Sequence, residues 1–335
     1  MMMGFDGYSF CKPHSASYTL VAYKSAWLRA RYPAEFMAAV ISNGGGYYNT
    51  FGYISEARRM GLRVLPPDID ASASAYTGGG RDVRVGLMQL KALSAEGAAA
   101  VLEERGKNGP FGSFESFLGR MRGRITLQDA RILIKAGCFD RLEGEAARPA
   151  LVWHALGFFA RDRSRRCPGL FDRPDPVSMR PPGRGEPLCR ADRLRQEAET
   201  LGFYLSVHPI ACHRDALMRL RPVWARDLRR CVGREITAVG WWVTGKTVHT
   251  RGGEAMKFVS LEDPTGIYEA VFFPRVYDRY CHLLEAARPY VLKGRVEDDG
   301  GALSLNVRWI GFLDAHTGRG RPQETGAAQR SAGTV

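Results

Sequence analysis

The sequence predicts a multidomain α+β protein in which a helical module precedes a small β-barrel. Apolar residues recur at helical spacing through much of residues 7–142, whereas residues 235–310 hold β-rich runs separated by turn residues. Between them, residues 161–195 are rich in arginine and proline and carry too little apolar surface to form a core. A length of 335 residues fits two or three domains at roughly 100–200 residues each.

The first elements are predicted to be helices. Residues 7–41 have helical periodicity, with a new helix starting at Pro33 because proline suits the first helical turn. A further amphipathic helix over residues 51–61 should end at Gly61, since glycine favours the left-handed conformation that closes helices.

Two helical hairpins are predicted next. After a strand-like stretch at residues 81–90, a helix over residues 94–106 has Ser94 as its N-cap. A second hairpin covers residues 113–142. Helical periodicity returns after the arginine-rich stretch, where one face is predicted to carry Leu194, Ala198, Leu201 and Leu205.

The C-terminal part is predicted to be a barrel. Five β-rich runs follow one another, with a helical segment at residues 275–286 between the third and the fourth. This is the order of an OB-fold barrel, and another small barrel or sandwich is the alternative. The tail after Asp314 is predicted to be disordered.

Composition favours a nucleic-acid partner. The chain has 48 Lys+Arg against 35 Asp+Glu, a formal net charge of +13, although an arginine-rich codon usage would have a similar effect. Seven cysteines without a C-x-x-C pair fit reduced cytosolic thiols, and no metal site is predicted. No apolar run is long enough to span a bilayer and no signal peptide is visible, so we expect a cytoplasmic protein.

Two modes of DNA contact follow from this architecture. Helical hairpins present backbone N–H groups to phosphate, and OB barrels bind single strands through basic grooves with aromatic side chains. The basic candidates in the barrel are Lys246, Arg251 and Lys257. The aromatic candidates, of which we expect only two or three to be exposed because strands alternate their faces, are Trp241, Trp242, Phe258, Tyr268, Phe272 and Phe273.

Several long motifs resemble one family in its own order. They are GYSFCKPHSASYTLVAYKSAWLRARYPAEFMAAVIS (7–42), SEARRMGLRVLPPDIDAS (55–72), IKAGCFDRL (134–142), LGFYLSVHPI (201–210) and MKFVSLEDPTGIYEAVFFPRVYDRY (256–280). Together they resemble the C-terminal part of the bacterial DNA polymerase III alpha subunit family, whose error-prone branch shares these segments.

The resemblance implies a division into six segments. They are the end of the polymerase fingers (1–75), a helix–hairpin–helix-like DNA-binding module (76–160), an Arg/Pro-rich arm (161–190), a helical connector (191–233), an OB-fold domain (234–314) and a disordered tail (315–335).

The resemblance also implies site residues in the fingers. Lys12, His14 and Ser15 occupy the stretch that approaches the incoming nucleotide and template, with Tyr18 placed to stack there. A lysine suits a triphosphate because it is a compact point charge with three donors.

In the first hairpin the phosphate candidates are Lys91, Arg105 and Lys107. The family has a glycine-bearing turn, but LKALSAEGA (90–98) contains Ala92 at this turn, so the turn is less favourable and its DNA-binding role is open. In the arm, CPGLFD (167–172) resembles the family's clamp-binding motif Q-x-x-L-F, which implies that Leu170 and Phe171 are anchors for a sliding clamp.

In the family, the palm carboxylates, which hold two metal ions, lie upstream of the end of the fingers. The sequence begins inside the fingers, so we expect no catalytic or metal-binding residue in it and no polymerase activity alone, with Mg²⁺ held by a palm-bearing partner. It is then one part of a split polymerase, a truncated product, or a stand-alone accessory that binds DNA or the clamp. An OB-containing RNA binder is the competing class, but it leaves the fingers-like run unexplained.

Overall fold

A computed structural model describes residues 12–44, 46, 48–166, 188–250, 252–284 and 288–313. The chain divides into two compact units, Met1–His208 and Pro209–Val335, which we call the helical unit and the barrel unit. Among the described residues, no helix is both long and apolar enough to cross a membrane.

The helical unit contains nine α-helices and a small sheet within its described residues. Its helices are α1 (Lys12–Arg31), α2 (Pro33–Asn43), α3 (Thr50–Arg59), α4 (Ala95–Asn108), α5 (Phe114–Arg120), α6 (Leu127–Lys135), α7 (Asp140–Glu143), α8 (Arg148–Arg166) and α9 (Arg190–Thr200). Its strands are β1 (Arg63–Leu65), β2 (Thr77–Gly79) and β3 (Asp82–Arg84).

Helix boundaries in this unit follow local sequence signals. Pro33 opens α2, and Gly44 closes it in the left-handed conformation at φ 61°. Asn49 caps α3 by accepting the Gly52 N–H at 2.9 Å. Helix α3 ends at Arg59, and Gly61 follows in the left-handed conformation at φ 78°. The predicted break at Pro33 and the predicted helix end near Gly61 are therefore confirmed.

The small sheet has the order β1-β3-β2, with β1 parallel and β2 antiparallel to β3. Helix α2 packs closely on it at Gly78, where a Cβ atom would lie 2.3 Å from the carbonyl carbon of Ala34. Only a glycine allows the helix backbone to approach the strand this closely.

Asp68 connects the segment after Pro66 and Pro67 to α7. Its carboxylate accepts the N–H groups of Asp70 and Ala71 and forms an ion pair with Arg141, whose Nε lies 2.7 Å from Oδ2. Burial raises the pKa of Asp68, but the Arg141 hydrogen bond and charge and the two backbone donors outweigh it and hold the pKa below its ordinary value.

Four phenylalanines form an aromatic centre in the two hairpins. Phe114 and Phe139 meet edge to face with ring centroids 4.8 Å apart, and Phe117 and Phe139 do so at 4.9 Å. Phe111 completes the group, and all four side chains are buried.

Helix α9 is shorter than predicted. It ends at Thr200, and Gly202 follows in the left-handed conformation at φ 83°. Leu201 and Leu205 therefore lie beyond the helix rather than on its face, because Gly202 turns the chain before another helical turn can form.

The barrel unit contains a closed five-stranded barrel in the order β4-β5-β6-β8-β7. Its elements are α10 (Arg214–Leu220), β4 (Glu235–His249), β5 (Ala255–Asp263), β6 (Gly266–Phe272), α11 (Pro274–Tyr280), β7 (Tyr290–Asp299) and β8 (Ala302–Phe312). Strands β4 and β7 close the barrel antiparallel, β6 and β8 pair parallel, and α11 lies between the third and fourth strands. The predicted OB-fold order is confirmed.

The boundary between the units divides the predicted connector (191–233) at His208/Pro209. Ile210 and Ala216 are buried with Val239, Val291 and Leu313 in a cluster on the outside of the barrel. The second half of the predicted connector is thus part of the barrel unit, because its apolar side chains complete this cluster.

Candidate nucleic-acid interface

The first helical hairpin consists of a 3₁₀ turn at Leu87–Gln89, a connecting turn, and α4. Ala92 lies at its apex in the left-handed region at φ 62°. Alanine is strained there by about 1–2 kcal/mol because its Cβ approaches the following carbonyl. The turn that the sequence made questionable therefore forms with alanine, at a cost in stability.

The start of α4 is closely packed. Ser94 caps it, as predicted, by accepting the Gly97 N–H at 2.9 Å. A Cβ on Gly97 would lie 2.7 Å from the Ser94 Oγ and 3.0 Å from the Asp129 carboxyl carbon. Gly97 thus lets Asp129 reach the hairpin.

Asp129 joins the two hairpins. Its carboxylate accepts the Ser94 N–H at 2.9 Å and the Thr126 N–H and hydroxyl at 3.0 and 2.7 Å, completing a capping box at the start of α6. Burial raises the pKa of Asp129, but the hydrogen bonds from Ser94 and Thr126 outweigh it and hold the pKa below its ordinary value. Asp129 is not among the residues predicted from the sequence, although its T-x-x-D spacing from Thr126 is typical of a capping box.

Of the three basic candidates in this hairpin, two are presented to solvent. Lys91 is exposed at the turn, and Lys107 is exposed at the end of α4, where it pairs with Glu103. The guanidinium of Arg105 instead donates to the carbonyls of Ile69 and Ser72 at 2.8 and 2.7 Å. Arg105 therefore holds the preceding loop, and its predicted contact with phosphate stays a prediction.

The predicted fingers residues lie on α1. His14, Ser15 and Tyr18 are exposed within one turn and a half, and the rings of His14 and Tyr18 meet edge to face with centroids 4.6 Å apart. Lys12 begins the helix, but its side chain lies outside the described part of the structure, as do Leu170, Phe171 and Arg251. The nucleotide, clamp and DNA roles of these residues stay predictions.

On the barrel, Lys257 is buried beside an aromatic ring. It is 6% exposed, and its ammonium lies 5.3 Å from the centroid of the half-buried Trp242 ring. Its Cα partner across β6 is the buried Phe272, so its stem points into the barrel. Lys257 therefore packs on Trp242 and covers one face of its ring. The predicted DNA contact of Lys257 stays a prediction.

Lys246 and Phe258 form an exposed pair on the barrel surface. They are directly opposite each other in the β4–β5 register, and both side chains are exposed. Phe258 and Phe273 are the two exposed aromatics of the six candidates, while Tyr268 and Phe272 are buried. The expectation that two or three would be exposed is confirmed.

The arrangement can hold a phosphate backbone and stack a base. Cations and helix starts suit phosphates, and an exposed ring beside a lysine suits an unpaired base. No cluster of three or more potential metal ligands is found in the part of the chain that the structure describes.

Two family models match these parts of the chain. Residues 61–148 match a helix–hairpin–helix motif, and residues 239–310 match an OB-fold nucleic-acid-binding domain. The chain is therefore a protein with two successive nucleic-acid-binding modules.

Curated relatives extend the match. The error-prone DNA polymerase of Symbiobacterium thermophilum is 30% identical over 93% of this chain and 33% of its own length. DNA polymerase III subunit alpha of Thermus aquaticus is 32% identical over 89% of the chain and 25% of its own length. The Escherichia coli (strain K12) subunit is 30% identical over 92% of the chain and 28% of its own length.

Over about nine-tenths of its length, the chain is homologous to the bacterial DNA polymerase III alpha subunit family. It spans about a quarter to a third of the length of these relatives. The resemblance found in the sequence motifs is confirmed.

Proposed function

We propose that this chain is the DNA-binding segment of a DNA polymerase III alpha-type polymerase that acts in replication or translesion synthesis in the cytoplasm. The observation that carries the proposal is the succession of two nucleic-acid-binding modules in a chain of formal net charge +13 that is homologous to such polymerases. Both modules suit backbone phosphates and unpaired bases of any sequence, as a polymerase requires.

We further propose that these residues do not transfer nucleotides by themselves. Such transfer uses carboxylates that hold two metal ions, and the resemblance implies that these carboxylates belong to a palm preceding the matched segment. We propose that a palm-bearing segment, which would hold Mg²⁺, supplies these carboxylates. Sliding-clamp binding through Leu170 and Phe171 is a further part of the proposal that rests on the sequence motif alone.

The test combines binding with catalysis. Fluorescence anisotropy with a labelled primer–template and a single strand, at two salt concentrations, should show binding that weakens steeply with salt. Primer extension with Mg²⁺ and dNTPs should require the addition of a palm-bearing polypeptide. Salt-insensitive or absent DNA binding would contradict the first proposal, and extension by the purified chain alone would contradict the second.

A second candidate is a stand-alone accessory that binds single strands or the clamp. The exposed Lys246–Phe258 pair favours it, because such a pair binds unpaired bases without a polymerase. Phe258→Ala should weaken single-strand binding about tenfold, whereas duplex binding should be unchanged.

Phe258→Leu is the matched control, since it keeps apolar bulk but removes the aromatic face. The affinities of these variants for DNA strands and for RNA strands are compared to distinguish a DNA-binding protein from an RNA-binding protein. If the chain binds single strands normally and never supports extension with a palm-bearing polypeptide, the accessory is favoured over the polymerase segment.

A further inference from the structure

A small pocket of about 130 Å³ lies beside the first hairpin, within the helical unit. We call it the hairpin pocket. It is lined by Lys91 and Ala92 from the turn, Gln128, Arg131, Ile132 and Lys135 from α6, and Glu199 and Thr200 from the end of α9.

One face of α6 supplies most of its polar lining. Gln128, Arg131 and Lys135 are spaced three and four residues apart, which places them on one side of a helix. The other side packs into the core, where Ala130 and Leu133 are completely buried. The polar face is therefore directed at the pocket.

The pocket is strongly positive for its size. Three cations and one carboxylate line it, so its formal charge is +2. Glu199 pairs with Lys135 at 2.8 Å. Within the described part of the chain, Lys91 and Arg131 have no ion-pair or side-chain hydrogen-bond partner, which leaves two cations for a ligand.

The position of Lys91 is defined by the backbone around it. Its N–H donates to the Thr200 carbonyl at 2.7 Å. Its stem lies against Gly202, where a Cβ would be 2.4 Å from the Lys91 Cε. The Gln89 amide also donates to the Leu201 carbonyl at 2.6 Å. The turn and the segment after α9 are thus held together, so part of the entropy of ordering Lys91 is already lost.

We propose that the hairpin pocket binds one phosphodiester group of duplex DNA through Arg131 and Lys91, with Gln128 as a further donor and Glu199 opposing the binding. The inference rests on the proposed DNA-binding function and assigns a phosphate contact to α6 and α9 in addition to the hairpin turn. A guanidinium suits the group because two parallel N–H donors match two phosphate oxygens.

The experiment uses the full chain and a short labelled duplex, with anisotropy measured across a salt series. Each phosphate contact contributes about 0.9 to the slope of log K against log salt. Because both cations contact the same phosphate, Arg131→Gln, Lys91→Gln and the double variant should each lower the slope by no more than about 0.9 and weaken binding severalfold at low salt. Glu199→Gln should strengthen binding severalfold, because it removes a negative charge and releases Lys135.

Arg161→Gln is the matched control, because Arg161 is an exposed arginine on α8 that does not line the pocket. Its slope should equal that of the unaltered chain. A second arm replaces chloride with inorganic phosphate at equal ionic strength, and this should compete only weakly if the site is shaped for the DNA backbone.

The opposite signs expected for Arg131→Gln and Glu199→Gln distinguish a phosphate contact from lost folding. If the unaltered chain binds duplex but the pocket variants do not differ from it, or Arg161→Gln has the same effect, the inference is wrong and the proposed function stands. Strong competition by inorganic phosphate would assign the pocket to the free ion. A chain that binds no duplex overturns both.

Discussion

Replacing Ala92 by glycine should stabilise the first hairpin. Ala92 has φ 62°, where an alanine costs about 1–2 kcal/mol and a glycine adopts the same angles freely. Glycine also loses more backbone entropy on folding, which offsets about 0.5–1 kcal/mol of that gain. The net expectation is a stabilisation of up to about 1.5 kcal/mol, with a central value of about 0.75 kcal/mol.

Ala99→Gly provides the same chemical change in ordinary helix. Ala99 is exposed in the interior of α4, where glycine is less favourable than alanine by about 1 kcal/mol. The two substitutions are seven residues apart and should have opposite signs. Their comparison therefore isolates the backbone conformation from the loss of a methyl group.

Hydrogen exchange of peptides covering residues 90–108, measured by mass spectrometry, reports the local opening free energy. Ala92→Gly should slow exchange by about two- to fivefold, and Ala99→Gly should accelerate it by a similar factor. If Ala92→Gly accelerates exchange as Ala99→Gly does, the turn is not strained at this residue and the reasoning is refuted.

Three further predictions concern groups whose partners are known. Asp129→Asn should destabilise the helical unit by about 1–3 kcal/mol, measured by urea titration of far-UV circular dichroism, because one amide cannot replace a carboxylate that accepts from both Ser94 and Thr126. Folding lowers the pKa values of Asp68 and Asp129, so their contribution to the free energy of unfolding is complete above the ordinary pKa of 3.8 and is lost as the pH falls below it. The urea concentration at the unfolding midpoint should therefore drop below this pH. The drop should be smaller in Asp68→Asn, which lacks one of the two carboxylates. Lys257→Met should lower the melting temperature of the barrel without changing the affinity for single-stranded DNA. Lys246→Met should weaken this affinity without changing the melting temperature. The reverse outcome would identify Lys257 as a DNA contact.

Local signals in the sequence predicted most elements of the fold. Pro33, Ser94 and the alternation in the β-rich runs act on residues within about one helical turn or one strand pair, so their effect can be seen without knowing what packs around them. The order of five strands with a helix before the fourth was sufficient for the OB-fold because few barrels share it. The end of α9 was predicted wrongly, since helical periodicity continued past Gly202 while the backbone did not.

The functional surface was predictable only in part. The sequence indicates which residue types can contact DNA. Whether such a side chain points to solvent or into the protein depends on the residues that pack around it. The guanidinium of Arg105 donates to two carbonyls that lie 33 and 36 residues earlier in the chain. The ammonium of Lys257 packs on a tryptophan of the neighbouring strand. Neither partner follows from the neighbours of these residues in the chain.

The sequence by itself determined the module types, the positive charge and the relationship to the polymerase family, because these depend on composition, periodicity and motifs. The tertiary structure alone decided which cations are available and where they converge. The hairpin pocket combines Lys91, Arg131 and Glu199, which are separated by dozens of residues and meet only because the first hairpin turn, α6 and α9 lie together. Such a meeting depends on the closure of the whole helical core, and no local pattern encodes it.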